Sequence, residues 1–273
     1  AAAQVVFYDP GVGTLARPNP WTKLRQDTVT VLGLATGYGL DDNVLNAYRF
    51  LIQHYEEGDD IFLFGFSRGA YTVRVLAGMI HKVGLLAPPQ SNLADAALTA
   101  YKQASAVVLD AGEDNSDAAG GDDDDPPQAA PASRDDQASQ FARIVSTRWP
   151  TIKFLGVWDT VASVIVPRPD RFYTFSLQTL AFTQSNPSVK IFRQAIAIDE
   201  RRRMFRLEPW AEPQVFMHNR FSAGHNAVPQ DCVQVWFAGV HADIGGGYPA
   251  KESGLSKFAL LRMIEEAVKS GLA

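Results

Sequence analysis

The 273-residue chain is 46% hydrophobic and has one cysteine, so it can bury a core of ordinary size and cannot form an internal disulfide. Its net charge of −5 conceals a division: between Asp110 and Asp136 ten acidic residues stand against one basic residue, Arg134, leaving 24 Lys+Arg against 20 Asp+Glu, or +4, elsewhere. That remainder is too weakly basic to imply a nucleic acid partner, and no stretch approaches the ~20 apolar residues that span a bilayer.

The opening AAAQVVFYDP lacks a charged n-region and a long h-region, so no signal peptide is read there. An intracellular setting is therefore favoured, with the compartment otherwise open. The chain goes straight into strand-like residues, as if it began inside a domain whose first strand lies upstream. Gln4 to Tyr8 is β-rich and is followed by the loop GVGT, Gly11 to Thr14. Residues 28–34 (TVTVLGL) read as a strand or as part of a loop. After ATGYGLDD, with Asp41 or Asp42 as the N-cap, the positions of Val44, Tyr48, Leu51, Ile52 and Tyr55 make one apolar stripe and predict a helix that EEGDD ends.

IFLFGF is a short continuous apolar run, as expected of a strand covered on both faces in a parallel sheet. RGAYTVRVLAGMIHKVG behind it is helical in pattern and closes at Gly84. Residues 111–137, acidic and rich in Gly, Pro and Ala, cannot bury enough apolar surface to order themselves and read as a disordered insertion. Alternation then resumes: IKFLGVWD, FRQAIAID and CVQVWFAGV are predicted strands, the last burying Cys232 as a structural thiol. LSKFALLRMIEEAVKSG is a closing helix, with Leu260, Ile264 and Val268 on its apolar face and Glu265 and Lys269 outward. The whole predicts a single α/β domain over 1–273, α/β-hydrolase-like, its mostly parallel sheet carrying helices on both faces.

The sharpest motif is Gly65-Phe66-Ser67-Arg68-Gly69, a G-x-S-x-G set between a buried strand and a helix. In that context it reads as a nucleophile elbow, with both glycines letting the helix approach the strand and Ser67 projecting above the C-terminal edge of the sheet. The Arg68 amide, at the positive end of the helix, becomes an oxyanion donor. The second donor is assigned to the GVGT loop, at Gly13, or to a loop upstream of residue 1.

A serine hydroxyl needs a base, and the chain has five histidines. His54 and His81 lie within helices and read as surface or packing residues; His218 and His225 lie in an irregular stretch. His241 follows the strand CVQVWFAGV and opens the loop HADIGGGYP, where this architecture places a general base. Asp159, ending IKFLGVWD, is the orienting carboxylate, and the order Ser67, Asp159, His241 is that of α/β-hydrolases. Asp199, before Glu200 and three arginines, reads instead as an ion-pair residue. Asp243 reads as orienting the loop or, less readily, as part of a calcium site. The set Arg201-Arg202-Arg203 reads as a salt-bridged surface patch rather than a phosphate site. These residues imply acyl transfer through an acyl-enzyme, on an ester or an amide, with no cofactor and no metal.

Beyond the triad, GDDIFLFGFSRGAYTVRVLAGMI, FLGVWDTVAS, AIDERRRMF and VWFAGVHADIGGGYP, with YDPGVGT ahead of them, resemble the motif blocks of the type VI secretion lipase effectors of the first class. They are similar too to a large group of bacterial and fungal proteins sharing that domain. The resemblance implies an α/β-hydrolase domain with phospholipase A-type esterase activity, a lipid or small-ester substrate and peripheral membrane contact. It carries the family's Ser-Asp-His triad onto Ser67, Asp159 and His241. Three features depart from the family pattern: the opening strand with its Asp-Gly-Thr turn, the regions after the closing helix, and the acidic insertion. A hydrolase-fold scaffold without turnover is the competing expectation, and a peptidase or amidase using the same triad is a third.

Overall fold

The computed structural model describes residues 4–10, 39–113, 137–145, 147–161, 165–167, 175–177, 180–202, 205–218, 221 and 226–273. The GVGT loop with Gly13, residues 28–34, His225 and most of the acidic insertion, 114–136, lie outside them. The expected insertion is trimmed at both ends, because helix α3 (Ala94–Glu113) runs into it and α4 (Gln137–Val145) starts at its last residue.

The helix predicted after ATGYGLDD is α1 (Leu40–His54); it buries Val44, Leu45, Tyr48 and Ile52. Its N-cap is Gly39, with φ 88°, so Asp41 and Asp42 sit in the first turn rather than at the cap. Acidic residues are favourable there next to the unpaired N–H groups. The other end is held by Arg148, whose guanidinium donates to the carbonyls of Ile52, Tyr55 and Leu86.

Four strands form one parallel sheet in the order β1-β2-β5-β8: β1 (Ile61–Phe66), β2 (Ile152–Trp158), β5 (Val189–Ala197) and β8 (Asp231–Phe237). The short pairs β3 (Ile165–Pro167) with β4 (Phe175–Leu177) and β6 (Val215–Phe216) with β7 (Val228–Pro229) lie outside it. Helices cover both faces of the four-stranded sheet. Leu155, Val157 and Phe192 point to the face packed by α1, α2 (Arg68–Val83) and α3. Phe154 and Ile191 point to the other, against α6 (Gly254–Lys269). Strands flanked on two sides in this way read as largely apolar runs, continuous in β1 and broken by a few polar residues in the other three.

Three expectations are corrected. Gln4 to Tyr8 forms no strand: Val5, Val6 and Tyr8 are exposed, and Phe7 packs its ring on Phe50 at 5.2 Å. A β-rich run becomes a strand only when an edge pairs with it, and β1 is an edge strand among the described residues. On α6 the buried face is Ala259, Met263 and Ala267, one position away from the predicted one; Leu260, Ile264 and Val268 are about half exposed. Two alanines and a flexible methionine let the helix lie close to the sheet, where a Cβ on Gly156 would come within 2.7 Å of the Met263 sulfur. Arg193 fixes that placement, bonding Glu266 of α6 and Asp231 of β8. Third, Cys232 is only half-buried, on β8, the other edge strand among the described residues, where its Sγ meets Glu212 Oε1 at 3.2 Å.

Ile264→Glu is accordingly expected to change stability by less than about 1 kcal/mol in urea denaturation, as at other exposed helix positions. A loss of several kcal/mol would restore the sequence-based phase of α6.

The core also contains a charge. Arg74 of α2 is fully buried, its guanidinium carbon 5.2 and 5.4 Å from the ring centres of Phe192 and Trp210, which stack on each other, and it bonds Gln194 Oε1 at 2.7 Å and the Thr183 carbonyl at 3.2 Å. Burial pushes its guanidinium down to about 9, toward the neutral form, so the surrounding polar partners are needed to keep it. Among the described residues no helix is long and apolar enough to cross a membrane.

Candidate active site

β1 and α2 meet at Ser67, which takes φ 57° and ψ −121°. This conformation is costly for a residue with a side chain, on the order of 1–3 kcal/mol, and persists only where the surroundings enforce it. Here Ser67 N–H donates to the Trp158 carbonyl at 3.0 Å, while its own carbonyl receives the Tyr71 N–H at 3.3 Å. The turn is tight because Gly65 has no side chain: a Cβ there would stand 2.4 Å from the Gly69 carbonyl oxygen. Gly69 itself has open space where its Cβ would be, so only one of the two motif glycines is required by packing.

Asp159 follows β2 with φ 39° and is buried. Its N–H donates to the Ala195 carbonyl at 2.8 Å and its Oδ1 accepts the Ala197 N–H at 3.0 Å, both on β5. With one oxygen held by the sheet, Oδ2 is aimed at His241 Nδ1, 2.6 Å away. His241 Nε2 lies 2.8 Å from Ser67 Oγ. With the imidazole proton on Nδ1, that N–H donates to Asp159 and Nε2 accepts the serine hydroxyl. The three side chains thus form one hydrogen-bonded chain at the C-terminal edge of β1, β2 and β8.

His241 does not open a loop, as the glycine-rich sequence suggested, but a short helix, α5 (His241–Gly245). Asp243 Oδ2 accepts the Val240 N–H at 2.9 Å and so starts the turn, the loop-orienting role expected of it. The helix lies against Phe66 so closely that a Cβ on Gly245 would enter the Phe66 ring. The buried imidazole is held between the rings of Phe66 and Phe205, each 4.6 Å from it centre to centre.

The remaining candidates are dispersed. His54 is exposed on α1, and His81 is buried against Ser188 Oγ at 2.7 Å. His218 lies edge-on to Phe216. Among the described residues Asp199 forms no ion pair: its Oδ2 accepts the Gly239 N–H at 2.8 Å, and Glu200 is paired with Arg202. The Arg202 guanidinium, first of all, holds the Glu200 carboxyl at about 2. The Arg68 N–H opens α2 beside Ser67, where backbone N–H groups lack intrahelical acceptors; burial pushes the Arg68 guanidinium down. Sequence reasoning missed Glu200, Phe66 and Phe205. Their only signal was membership in the blocks AIDERRRMF and IFLFGFSRG, since their contacts with His241 are tertiary.

Residues 1–266 match the family described as the catalytic domain of the type VI secretion system (T6SS) phospholipase effectors, Tle1-like. The chain belongs to this family. Within the Tle1-like family and beyond it, three proteins show how far the likeness extends. An uncharacterized protein of Saccharomyces cerevisiae is 30% identical over 210 residues, which is 76% of this chain and 27% of that protein. A crystal structure of an uncharacterized protein from Pseudomonas aeruginosa is 19% identical, with a TM-score of 0.37, over 83% of this chain and 26% of that one. The structure of the Tle1 effector bound to the VgrG spike of the Type 6 secretion system is likewise 19% identical, with a TM-score of 0.28, over 78% of this chain and 30% of that one. The chain therefore spans about a quarter to a third of the length of these relatives.

Proposed function

We propose that this Tle1-like domain is a serine esterase of lipid acyl chains, with phospholipids as the principal substrate class, and that residues 1–273 form a single catalytic domain. The observation that carries the reading is the continuous hydrogen-bonded chain from Ser67 Oγ through His241 to Asp159 Oδ2. Serine is a poor nucleophile until a base removes its proton, and this chain supplies both the base and the carboxylate that fixes its tautomer. His241 takes the Ser67 proton as Oγ attacks the ester carbonyl, and the Arg68 N–H receives the developing oxyanion. The imidazolium then protonates the leaving alcohol, leaving an acyl-Ser67 ester. Water, deprotonated by the same imidazole, releases the fatty acid. A water-insoluble substrate also requires the domain to meet a lipid surface, so peripheral membrane contact belongs to the same reading.

The test is covalent labelling followed by a substrate comparison. A fluorophosphonate probe is expected to modify Ser67, located by peptide mass spectrometry, and the protein to hydrolyse both p-nitrophenyl esters and a fluorogenic phospholipid. A folded protein that stays unlabelled would point to a hydrolase-fold binding module. Labelling with ester turnover but no phospholipid turnover would remove the lipid substrate and keep the serine mechanism.

A further inference from the structure

The backbone leading into the base is held in an unusual way. Three successive N–H groups are each received by a different carboxylate: Gly239 by Asp199 at 2.8 Å, Val240 by Asp243 at 2.9 Å and His241 by Glu200 at 3.2 Å. His241 begins α5, so its N–H has no acceptor within the helix. Glu200, from the segment after β5, fills that need from outside.

Glu200 also reaches the imidazole by a second route. Its two oxygens bind the Arg202 guanidinium at 2.8 and 2.6 Å, and Oε1 accepts the Arg202 N–H at 2.8 Å. That guanidinium lies 4.1 Å from the centre of the Phe205 ring, and Phe205 packs on the imidazole of His241. The contacts close a circuit: His241 N–H to Glu200, Glu200 to Arg202, Arg202 to Phe205, and Phe205 back to the His241 ring. This differs from an ordinary surface ion pair, because the Glu200 side chain is only 6% exposed whereas Arg202 is 53% exposed. A carboxylate is withdrawn from water at a cost that its donors must offset, and one of those donors is the backbone of the base.

We propose that Glu200 is a positioning residue for His241, fixing the backbone of the base directly and one face of its ring through Arg202 and Phe205. The inference rests on the serine-esterase reading and adds to it a residue that touches neither Ser67 nor Asp159. A general base must stay within hydrogen-bond reach of its proton in one orientation, and misplacement by about 1 Å costs on the order of 10²-fold in rate. Glu200, Arg202 and Phe205 are thus assigned the task of holding the base against the pull of substrate and product.

The experiment uses the full chain and a soluble p-nitrophenyl ester, with turnover expressed per serine titrated by a fluorophosphonate. Glu200→Ala is expected to lower kcat per titrated site by about 10- to 100-fold with KM within about twofold of wild type. Glu200→Gln, which retains an oxygen acceptor for the His241 N–H, is expected to recover most of that loss. Phe205→Leu, which leaves every charge in place, is expected to lower kcat per site several-fold and serves if Glu200→Ala does not fold. A wild-type kcat per titrated site in both Glu200→Ala and Phe205→Leu, with only the titratable fraction reduced, would overturn the proposal and leave a structural role. A Glu200→Gln protein as slow as Glu200→Ala would overturn the backbone contact as its basis. Ser67→Ala, run alongside, separates the two failures: turnover surviving there would reject the serine mechanism itself.

Discussion

Alanine at Ser67 or at His241 is expected to reduce kcat on p-nitrophenyl esters by about 10⁴- to 10⁶-fold, and the double replacement to be no slower than the worse single one. Both effects follow from the 2.8 Å contact between Nε2 and Oγ: nucleophile and base act as one unit, so removing either disables both. Asp159→Asn isolates the third member. The amide preserves shape and can still accept the Ala197 N–H on one side. Its NH₂ toward His241 favours the imidazole with Nδ1 as acceptor, which places the ring proton on Nε2 and blocks proton removal from Ser67. A loss of about 10⁴-fold in kcat with an unchanged thermal midpoint is the expected outcome. Asp199→Asn serves as the control, since that carboxylate reaches Gly239 and is not in contact with the imidazole. If Asp159→Asn and Asp199→Asn were equally mild, the carboxylate orienting the base would have to be sought elsewhere.

The sequence and the structure agree where the controlling interaction is local or periodic. IFLFGF, IKFLGVW and FRQAIA are parallel strands covered by helices; IFLFGF shows it by its continuous apolar character, and the other two by mostly apolar runs within the strand–helix alternation. The elbow is legible for a related reason, as strand, Gly-x-Ser-x-Gly and helix adjoin in the chain. The phase of α6 was not legible. LSKFALLRMIEEAV has apolar residues around most of its circumference, so periodicity alone does not choose between Ala259-Met263-Ala267 and Leu260-Ile264-Val268; the sheet chooses the smaller set because it permits closer approach. Asp199 and Glu200 were legible as acids at a strand end, yet their partners are fixed by a contact about forty residues away in sequence. Composition pointed Asp199 to the nearby arginines; among the described residues it is Glu200 that pairs with Arg202, while Asp199 accepts the Gly239 N–H.

The two glycines of the elbow are expected to respond with opposite signs. Alanine at Gly65 would bring a Cβ to 2.4 Å from the Gly69 oxygen, 2.6 Å from its carbonyl carbon and 2.7 Å from the Ala70 Cα. All three are backbone atoms of the first turn of α2, so no rotamer change relieves the clash. The helix start must move away from β1, and it carries Ser67 and the Arg68 N–H with it. Gly65→Ala is expected to cost about 3 kcal/mol in urea denaturation, at the upper end of overpacking effects, and at least about 10²-fold in kcat, because the nucleophile leaves its position against His241. At Gly69 the corresponding Cβ meets nothing within 4 Å, and the residue lies in the first turn of α2. Alanine loses less backbone entropy than glycine on entering a helix, so Gly69→Ala is expected to gain about 0.5–1 kcal/mol and to keep kcat within a few-fold of wild type. Equal destabilisation by the two substitutions would mean that the helix start is not held against β1 through Gly65. A selective loss at Gly65 would trace the strain at Ser67 to one absent side chain, with the second glycine of the motif dispensable for the turn.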